Sequence, residues 1–148
     1  MVDRIEAASV YLGYSAKRNT KELQTLLKVN PITNVWGSCF VTAIEKICGA
    51  EGTGVLAARS YLNYSTETRK PVKGDIVVLW IGSKDSWEGH VGYLVSQDTR
   101  SVTLLGGNQD NQVKIKTYPK EKVLGYRTPP LINRDTPPLP PIGAGDII

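Results

Sequence analysis

The chain has few residues of the kinds that hold small proteins together through covalent bonds or metal ions. Its 148 residues include two cysteines and one histidine. Zinc sites usually need four Cys or His ligands, so these residues predict no metal site and no cofactor. The chain also lacks an apolar run of the roughly 20 residues that a spanning helix requires. No charged and then apolar leader opens the sequence, so we expect neither membrane insertion nor a cleavable secretory signal.

Charge of one sign is not concentrated anywhere along the chain. The net charge is +4, but the basic residues are scattered, without a dense run and without a known nucleic-acid motif. We therefore expect no nucleic-acid partner, while an anionic surface remains a possible target.

The length favours one domain with a single core. From residue 128 onwards, proline and glycine recur too often for a helix or a central strand, and no aromatic residue remains. The sequence therefore predicts a domain over residues 1–127 and a proline-rich extended tail over residues 128–148.

Helical patterns come first and strand patterns follow. Leu23, Leu26 and Leu27 have helical spacing after Thr20, a second helix should begin around Ser38 or Cys39, and a short third one should lie within residues 53–64. Short β-branched or aromatic runs then occur at residues 73–82, 89–97, 100–107, 112–119 and 122–128. This order predicts an α+β fold, with N-terminal helices packed on a mostly antiparallel sheet of about five strands.

The two cysteines have different settings in the second predicted helix. They are nine positions apart, about 13–14 Å along a helix, which is too far for a disulfide. Cys48 shares an apolar face with Val41 and Ile44 and should be a core thiol. Cys39 should lie in the first turn after a Ser38 cap, where the helix dipole lowers a thiol pKa. Cys39 is therefore either a nucleophile or an ordinary half-buried cysteine.

A nucleophilic thiol needs a base, and His90 is the only histidine. It stands between Gly89 and Val91 at the start of a predicted strand, and it is either a general base or a surface or core histidine. A base of this kind also needs a polar group to hold its ring. The turn "GGNQDN" offers several, and we choose Asn108 because it is nearest the strand end, whereas Gln109 should point elsewhere if the backbone stays extended.

Four segments carry a resemblance to a known family: "KGDIVVLW", "SWEGHVGYLV", "LLGGNQ" and "VLGYR", in this order after a helix-borne cysteine. Over residues 30–127 the chain resembles the CHAP and NlpC-type branch of papain-like cell-wall hydrolases, and especially small phage and prophage endolysin-like proteins. The resemblance implies a papain-like fold with Cys39 as nucleophile, His90 as general base and Asn108 as orienting residue. The implied substrate is an amide bond of bacterial peptidoglycan, cut by an N-acetylmuramoyl amidase or a stem-peptide endopeptidase.

Two departures from the family pattern stand out. Such proteins often have tryptophan immediately before the nucleophilic cysteine, whereas Gly37 and Ser38 separate Trp36 from Cys39. The aspartate-rich calcium loop of some CHAP enzymes is also missing. For the second oxyanion donor, Gln24 and Asn34 are weak candidates.

The expected function is that of a monomeric phage endolysin, made in the host cytoplasm and reaching the wall once the inner membrane is permeabilised. An injected antibacterial effector with the same chemistry is one alternative. The other is a non-catalytic wall-binding or virion module that keeps the fold and has lost the reaction.

Overall fold

Within residues 3–131, which the computed structural model describes, three α-helices precede six β-strands. The helices are α1 (Arg4–Ser9), α2 (Thr20–Leu27) and α3 (Gly37–Ile47). The strands are β1 (Thr66–Thr68), β2 (Ile76–Trp80), β3 (Gly89–Gln97), β4 (Ser101–Gln109), β5 (Gln112–Pro119) and β6 (Val123–Thr128). Two short 3₁₀ helices, Ala58–Asn63 and Lys120–Lys122, complete the order.

All six strands form one antiparallel sheet in the order β1-β6-β2-β3-β4-β5. This arrangement confirms the predicted α+β class and the antiparallel sheet. The sequence predicted about five strands and missed β1, a three-residue edge strand that pairs with β6. Its residues, Thr-Glu-Thr, are polar and mostly exposed, so they give no alternation of apolar and polar side chains.

The helices differ in detail from their predicted bounds. α3 begins at Gly37, and the Ser38 hydroxyl donates to the carbonyl of Val55 (2.7 Å) instead of capping the helix. The third predicted helix is a 3₁₀ helix that starts only at Ala58, because Gly52 and Gly54 adopt positive φ angles before it. No helix within residues 3–131 has the length and apolar character needed to cross a bilayer.

The main core lies between α3 and one face of the sheet. Phe40, Val41 and Ile44 of α3 are fully buried, in one cluster with Val91 and Tyr93 of β3. Because these positions recur at helical spacing, burial of this face fixes which way every other side chain of α3 points. The other face of the sheet carries a smaller cluster, made up of Val77, Leu79, Leu94, Val102 and Leu104.

A buried ion pair joins α1, α3 and β3. The Glu45 carboxylate, with 0% of its surface exposed, accepts two hydrogen bonds from Arg4 (2.9 and 3.0 Å). It also accepts one each from the hydroxyls of Tyr64 and Tyr93 (2.7 Å each). Burial and the nearby Glu45 carboxylate raise the pKa of Tyr93 well above its ordinary value, so this hydroxyl stays protonated. The network holds α3 on β3 close to the C-terminal end of the helix.

The last strand ends near the predicted domain boundary. β6 runs to Thr128, which pairs with Thr66, so the domain extends one residue into the predicted tail. The carbonyl of Pro130 then accepts a hydrogen bond from Arg4 (2.8 Å). The remainder of the predicted tail, residues 132–148, lies outside the described residues.

Candidate functional site

Gly37, the first residue of α3, lies against the ring of His90. A Cβ atom on Gly37 would be 3.0 Å from His90 Nδ1 and 3.2 Å from its Cε1. His90 is the second residue of β3 and is 93% buried, with 7% of its surface exposed. The two segments meet because α3 packs along β3, and because Gly107 of β4 lets the neighbouring strand approach the helix start. Gly37 is therefore the α3 residue that faces the imidazole.

Gln109 holds the other side of the ring. Its side-chain oxygen is 2.9 Å from His90 Nε2 and accepts a further hydrogen bond from the Tyr118 hydroxyl (3.0 Å). Its side-chain nitrogen donates to the carbonyls of Leu104 (3.3 Å) and Lys114 (2.6 Å). These two carbonyls can only accept, so the orientation of the amide is determined. The oxygen facing His90 is an acceptor, and Nε2 must carry the imidazole proton.

With the proton on Nε2, Nδ1 of His90 carries a lone pair and can only accept a hydrogen bond. Burial lowers the pKa of His90 and the nearby charge of Lys116 lowers it further, while the hydrogen bond to Gln109 acts in the opposite direction. The ring is therefore neutral at pH 7. Within residues 3–131, no group donates a hydrogen bond to Nδ1, which faces the start of α3.

The choice of Asn108 as the residue that holds the ring is corrected by these contacts. The pairing of β4 with β5 shifts register between Gly106 and Gln109, and Asn108 adopts a left-handed φ of 58°. This bulge breaks the alternation on which the prediction depended. It turns the Gln109 side chain towards His90, while Asn108 lines a smaller cavity behind the ring.

Cys39 does not lie beside His90. Two residues on from Gly37 in a helix with about 100° per residue, its side chain points roughly 200° away. It lines a separate groove with Leu26, Val29 and Thr42. Burial raises the pKa of the Cys39 thiol, although a hydrogen bond with its own backbone acts in the opposite direction. This direction is opposite to the lowered thiol pKa that the sequence predicted for Cys39.

Cys48, the second cysteine, is buried at the C-terminal end of α3, as its apolar neighbours predicted. The two cysteines form no disulfide with each other. Within the described part of the chain, no group of three or more His, Cys, Asp or Glu side chains could hold a metal ion.

A cavity of about 520 Å³ opens on the side of His90 that faces Gly37. Its apolar lining comes from three segments: Val35 before α3, Leu56 and Ala57 before the first 3₁₀ helix, and Ile81 and Trp87 in the β2–β3 loop. Trp87 is 77% exposed, so it forms part of the rim.

Arg59 fixes the loop that carries Trp87. Its guanidinium donates to the backbone carbonyls of Ser83 (3.1 Å), Lys84 (2.9 Å) and Glu88 (2.7 Å). The same side chain packs on Gly89, where a Cβ atom would come within 3.0 Å of Arg59 Cγ. The role of Arg59 could not be predicted from the sequence, because a lone arginine in a helical segment gives no sign of a contact some 25 residues away.

The weaker candidates occupy different places. Asn34 lines the cavity, but its amide donates to the carbonyl of Asn30 (3.0 Å), and Gln24 is exposed on α2. Asp75 accepts a hydrogen bond from the backbone N–H of Val72 (2.8 Å) and shapes the turn before β2.

No model of a known protein family matches this chain, and no curated protein sequence matches it significantly.

Proposed function

We propose that this chain is a papain-like module that binds the peptide part of bacterial peptidoglycan and leaves its amide bonds intact. The observation that carries the proposal is the contact between Gly37 and His90 Nδ1. In a papain-like site, the residue at the start of the helix that faces the histidine supplies the thiol. Here that residue is a glycine, and it directly follows Trp36, as the family's nucleophile often does.

Other possible nucleophiles are directed elsewhere. Cys39 lies on the opposite side of α3, and the Ser38 hydroxyl is bonded to the Val55 carbonyl. The only side chain hydrogen-bonded to His90 within residues 3–131 is Gln109. These contacts favour the non-catalytic alternative over a cysteine hydrolase.

Peptidoglycan is proposed as the ligand because of the resemblance of residues 30–127 to cell-wall hydrolases. The apolar cavity beside a polar ring is a form typical of ligand sites. The net charge of +4 would also favour approach to an anionic cell envelope.

Sedimentation with purified, insoluble peptidoglycan tests the proposal. We expect the protein to pellet with the polymer, while the turbidity of the suspension stays constant and no new amino groups appear. Trp87→Ala should weaken binding roughly five- to thirtyfold, as expected when an aromatic contact worth about 1–2 kcal/mol is lost. Val72→Ala is the matched control, since Val72 is also exposed and apolar but does not line the cavity. A protein that stays in the supernatant would contradict the proposal.

Hydrolysis through Cys39, in an endolysin or in an injected effector, stays a prediction that the same assay addresses. It would appear as a falling turbidity that Cys39→Ala abolishes. In the proposed module, Cys39→Ala changes neither turbidity nor binding.

A further inference from the structure

We propose that a groove between α2 and α3 binds an unbranched alkyl carboxylate of about eight to ten carbon atoms. This α2–α3 groove has a volume of about 320 Å³ and is lined mainly by Leu26, Leu27, Cys39, Ala43, Val55 and Leu56. It lies on the side of α3 turned away from His90, so the inference does not depend on the proposed function.

The walls of the α2–α3 groove are aliphatic. One wall is a stripe of α3 at helical spacing, from Cys39 through Ala43 to Lys46, which extends about 10 Å along the helix axis. The end of α2 and residues 54–56 form the other two walls. Among the lining residues that the structure describes, none is aromatic, so a flat ring would find no partner for stacking. An alkyl chain, which gains from burial alone, suits these walls better.

The size of the groove limits the length of the chain. A water molecule takes up about 30 Å³ of liquid, so the volume of about 320 Å³ accommodates roughly ten atoms of similar size. Val55 and Leu56 are 50% and 49% exposed, so the groove is open to solvent along this wall. A charged head group can therefore remain hydrated while the carbon chain is buried.

The charges around the groove favour an anionic head group. Lys28 and Lys46 line it, and no Asp or Glu within residues 3–131 does. Both lysines are exposed, and in this part of the chain neither ammonium group has a described ion pair. A carboxylate would meet two cations, which act as point charges and impose no fixed geometry on it.

The helix dipoles act against this attraction without cancelling it. Lys28 caps the C-terminal end of α2 and Lys46 belongs to the last turn of α3. The two helix ends carry about half a negative charge each, so the two ammonium groups leave an excess of about one positive charge. The groove therefore attracts a carboxylate and repels an alkylammonium ion.

Cys39 reports whether the groove is occupied, because its thiol lines the groove and is only partly buried. The probe is decanoate, kept below the concentration at which it forms micelles. The rate of Cys39 alkylation by iodoacetamide is followed at about pH 8.5 by mass spectrometry of the labelled peptide. Decanoate at about ten times its dissociation constant should slow labelling about tenfold, because only the empty groove exposes the thiol. Cys48 is 1% exposed, and an unchanged slow rate there shows that the fold is intact.

Chain length and head group are varied on the unaltered protein. From hexanoate to decanoate, each added methylene should tighten binding about fourfold, as expected for burial of one methylene group. Dodecanoate should bind no more than about twofold tighter than decanoate, because its last carbons would lie outside the filled groove. Decylamine, protonated at neutral pH, should bind at least about fivefold more weakly than decanoate.

A charge placed at position 55 tests the location of the site. Val55 is half exposed, so an added charge stays hydrated, and the backbone carbonyl that accepts from Ser38 is retained. Val55→Asp should bind decanoate at least about tenfold more weakly than Val55→Lys. Val72→Asp and Val72→Lys are the matched controls, since Val72 is 64% exposed and does not line the groove, and they should differ less than about twofold.

The two lysines are tested together. Lys28→Gln/Lys46→Gln should weaken decanoate binding about three- to tenfold, as expected for the loss of two exposed ion pairs. Lys70→Gln, at an exposed lysine that does not line the groove, should have no effect.

The proposal is overturned if decanoate does not protect Cys39. That includes a thiol that is already shielded in the unaltered protein and gains nothing from decanoate, because another part of the chain or a second copy would then fill the groove. Equal affinities for decanoate and decylamine would also overturn it, as would equal effects of charge at positions 55 and 72.

Discussion

Arg4→Met should be among the most destabilising single substitutions in this domain, because it leaves a carboxylate buried without its counter-charge. Arg4 is 6% exposed and Glu45 is completely buried. The substitution removes two of the four hydrogen bonds that Glu45 accepts and leaves only the hydroxyls of Tyr64 and Tyr93. Breaking a buried pair in this way costs about 3–5 kcal/mol. That is a large part of the roughly 5–15 kcal/mol that stabilises a typical domain.

Urea unfolding followed by tryptophan fluorescence measures this loss. With a denaturant dependence of about 2 kcal/mol per M, the midpoint should fall by roughly 1.5–2.5 M. Arg100→Met is the matched control, since Arg100 is exposed and its side chain makes no described ion pair, and it should change stability by less than about 0.5 kcal/mol. The double variant Arg4→Met/Glu45→Gln should recover at least about 1 kcal/mol, because it removes the unpaired buried charge, and the neutral amide can accept from one tyrosine hydroxyl and donate to the other. A loss below about 1 kcal/mol for Arg4→Met, or no recovery in the double variant, would refute the reasoning.

Two further predictions concern His90 and its neighbours. Because burial places the folded-state pKa of His90 below its unfolded value of about 6.5, the unfolded chain binds more protons between these two values. The contribution of His90 to stability is therefore complete above pH 6.5 and is lost as the pH falls towards the folded-state pKa. Urea unfolding should show the free energy of unfolding decreasing as the pH is lowered through this range. His90→Gln should remove this pH dependence. Gln109→Leu should cost about 1–3 kcal/mol by leaving a buried imidazole N–H without an acceptor. Asn108→Gly, at a left-handed position that glycine tolerates, should cost less than about 0.5 kcal/mol. A larger loss of thermal stability for Asn108→Gly than for Gln109→Leu would contradict the described contacts.

The sequence allowed α2, α3 and most of the strands to be anticipated, but neither α1 nor the rotation of α3 about its own axis. That rotation depends on Phe40 and Ile44 meeting the sheet, which a helical pattern shows, and on Gly107 admitting the helix start, which it does not. The sequence prediction placed Cys39 beside His90, whereas the residue that contacts the ring is Gly37, two positions earlier. Trp36 was the available signal, because the residue directly after it is the one that faces His90.

The residue holding the ring was missed by one position for a related reason. The prediction assumed a strand that stays extended to its end, and a single left-handed residue, Asn108, invalidates that assumption. Asparagine adopts this conformation more readily than most residues, so the turn itself was predictable. Which side chain then faces β3 depends on how β4 pairs with β5, and a local sequence pattern does not contain that information.

The hydrogen bond between Arg4 and the carbonyl of Pro130 has a practical consequence for handling this protein. It brings the two ends of the described chain together near the end of α3 that carries Glu45, about 12 Å along the helix from Gly37. A surface linker, a fluorophore or a fused protein joined at residue 3 or at residue 131 would start from the same side of the domain, away from the cavity. The same closeness makes the domain suitable for circular permutation with a short connecting peptide, and for insertion into a loop of another protein.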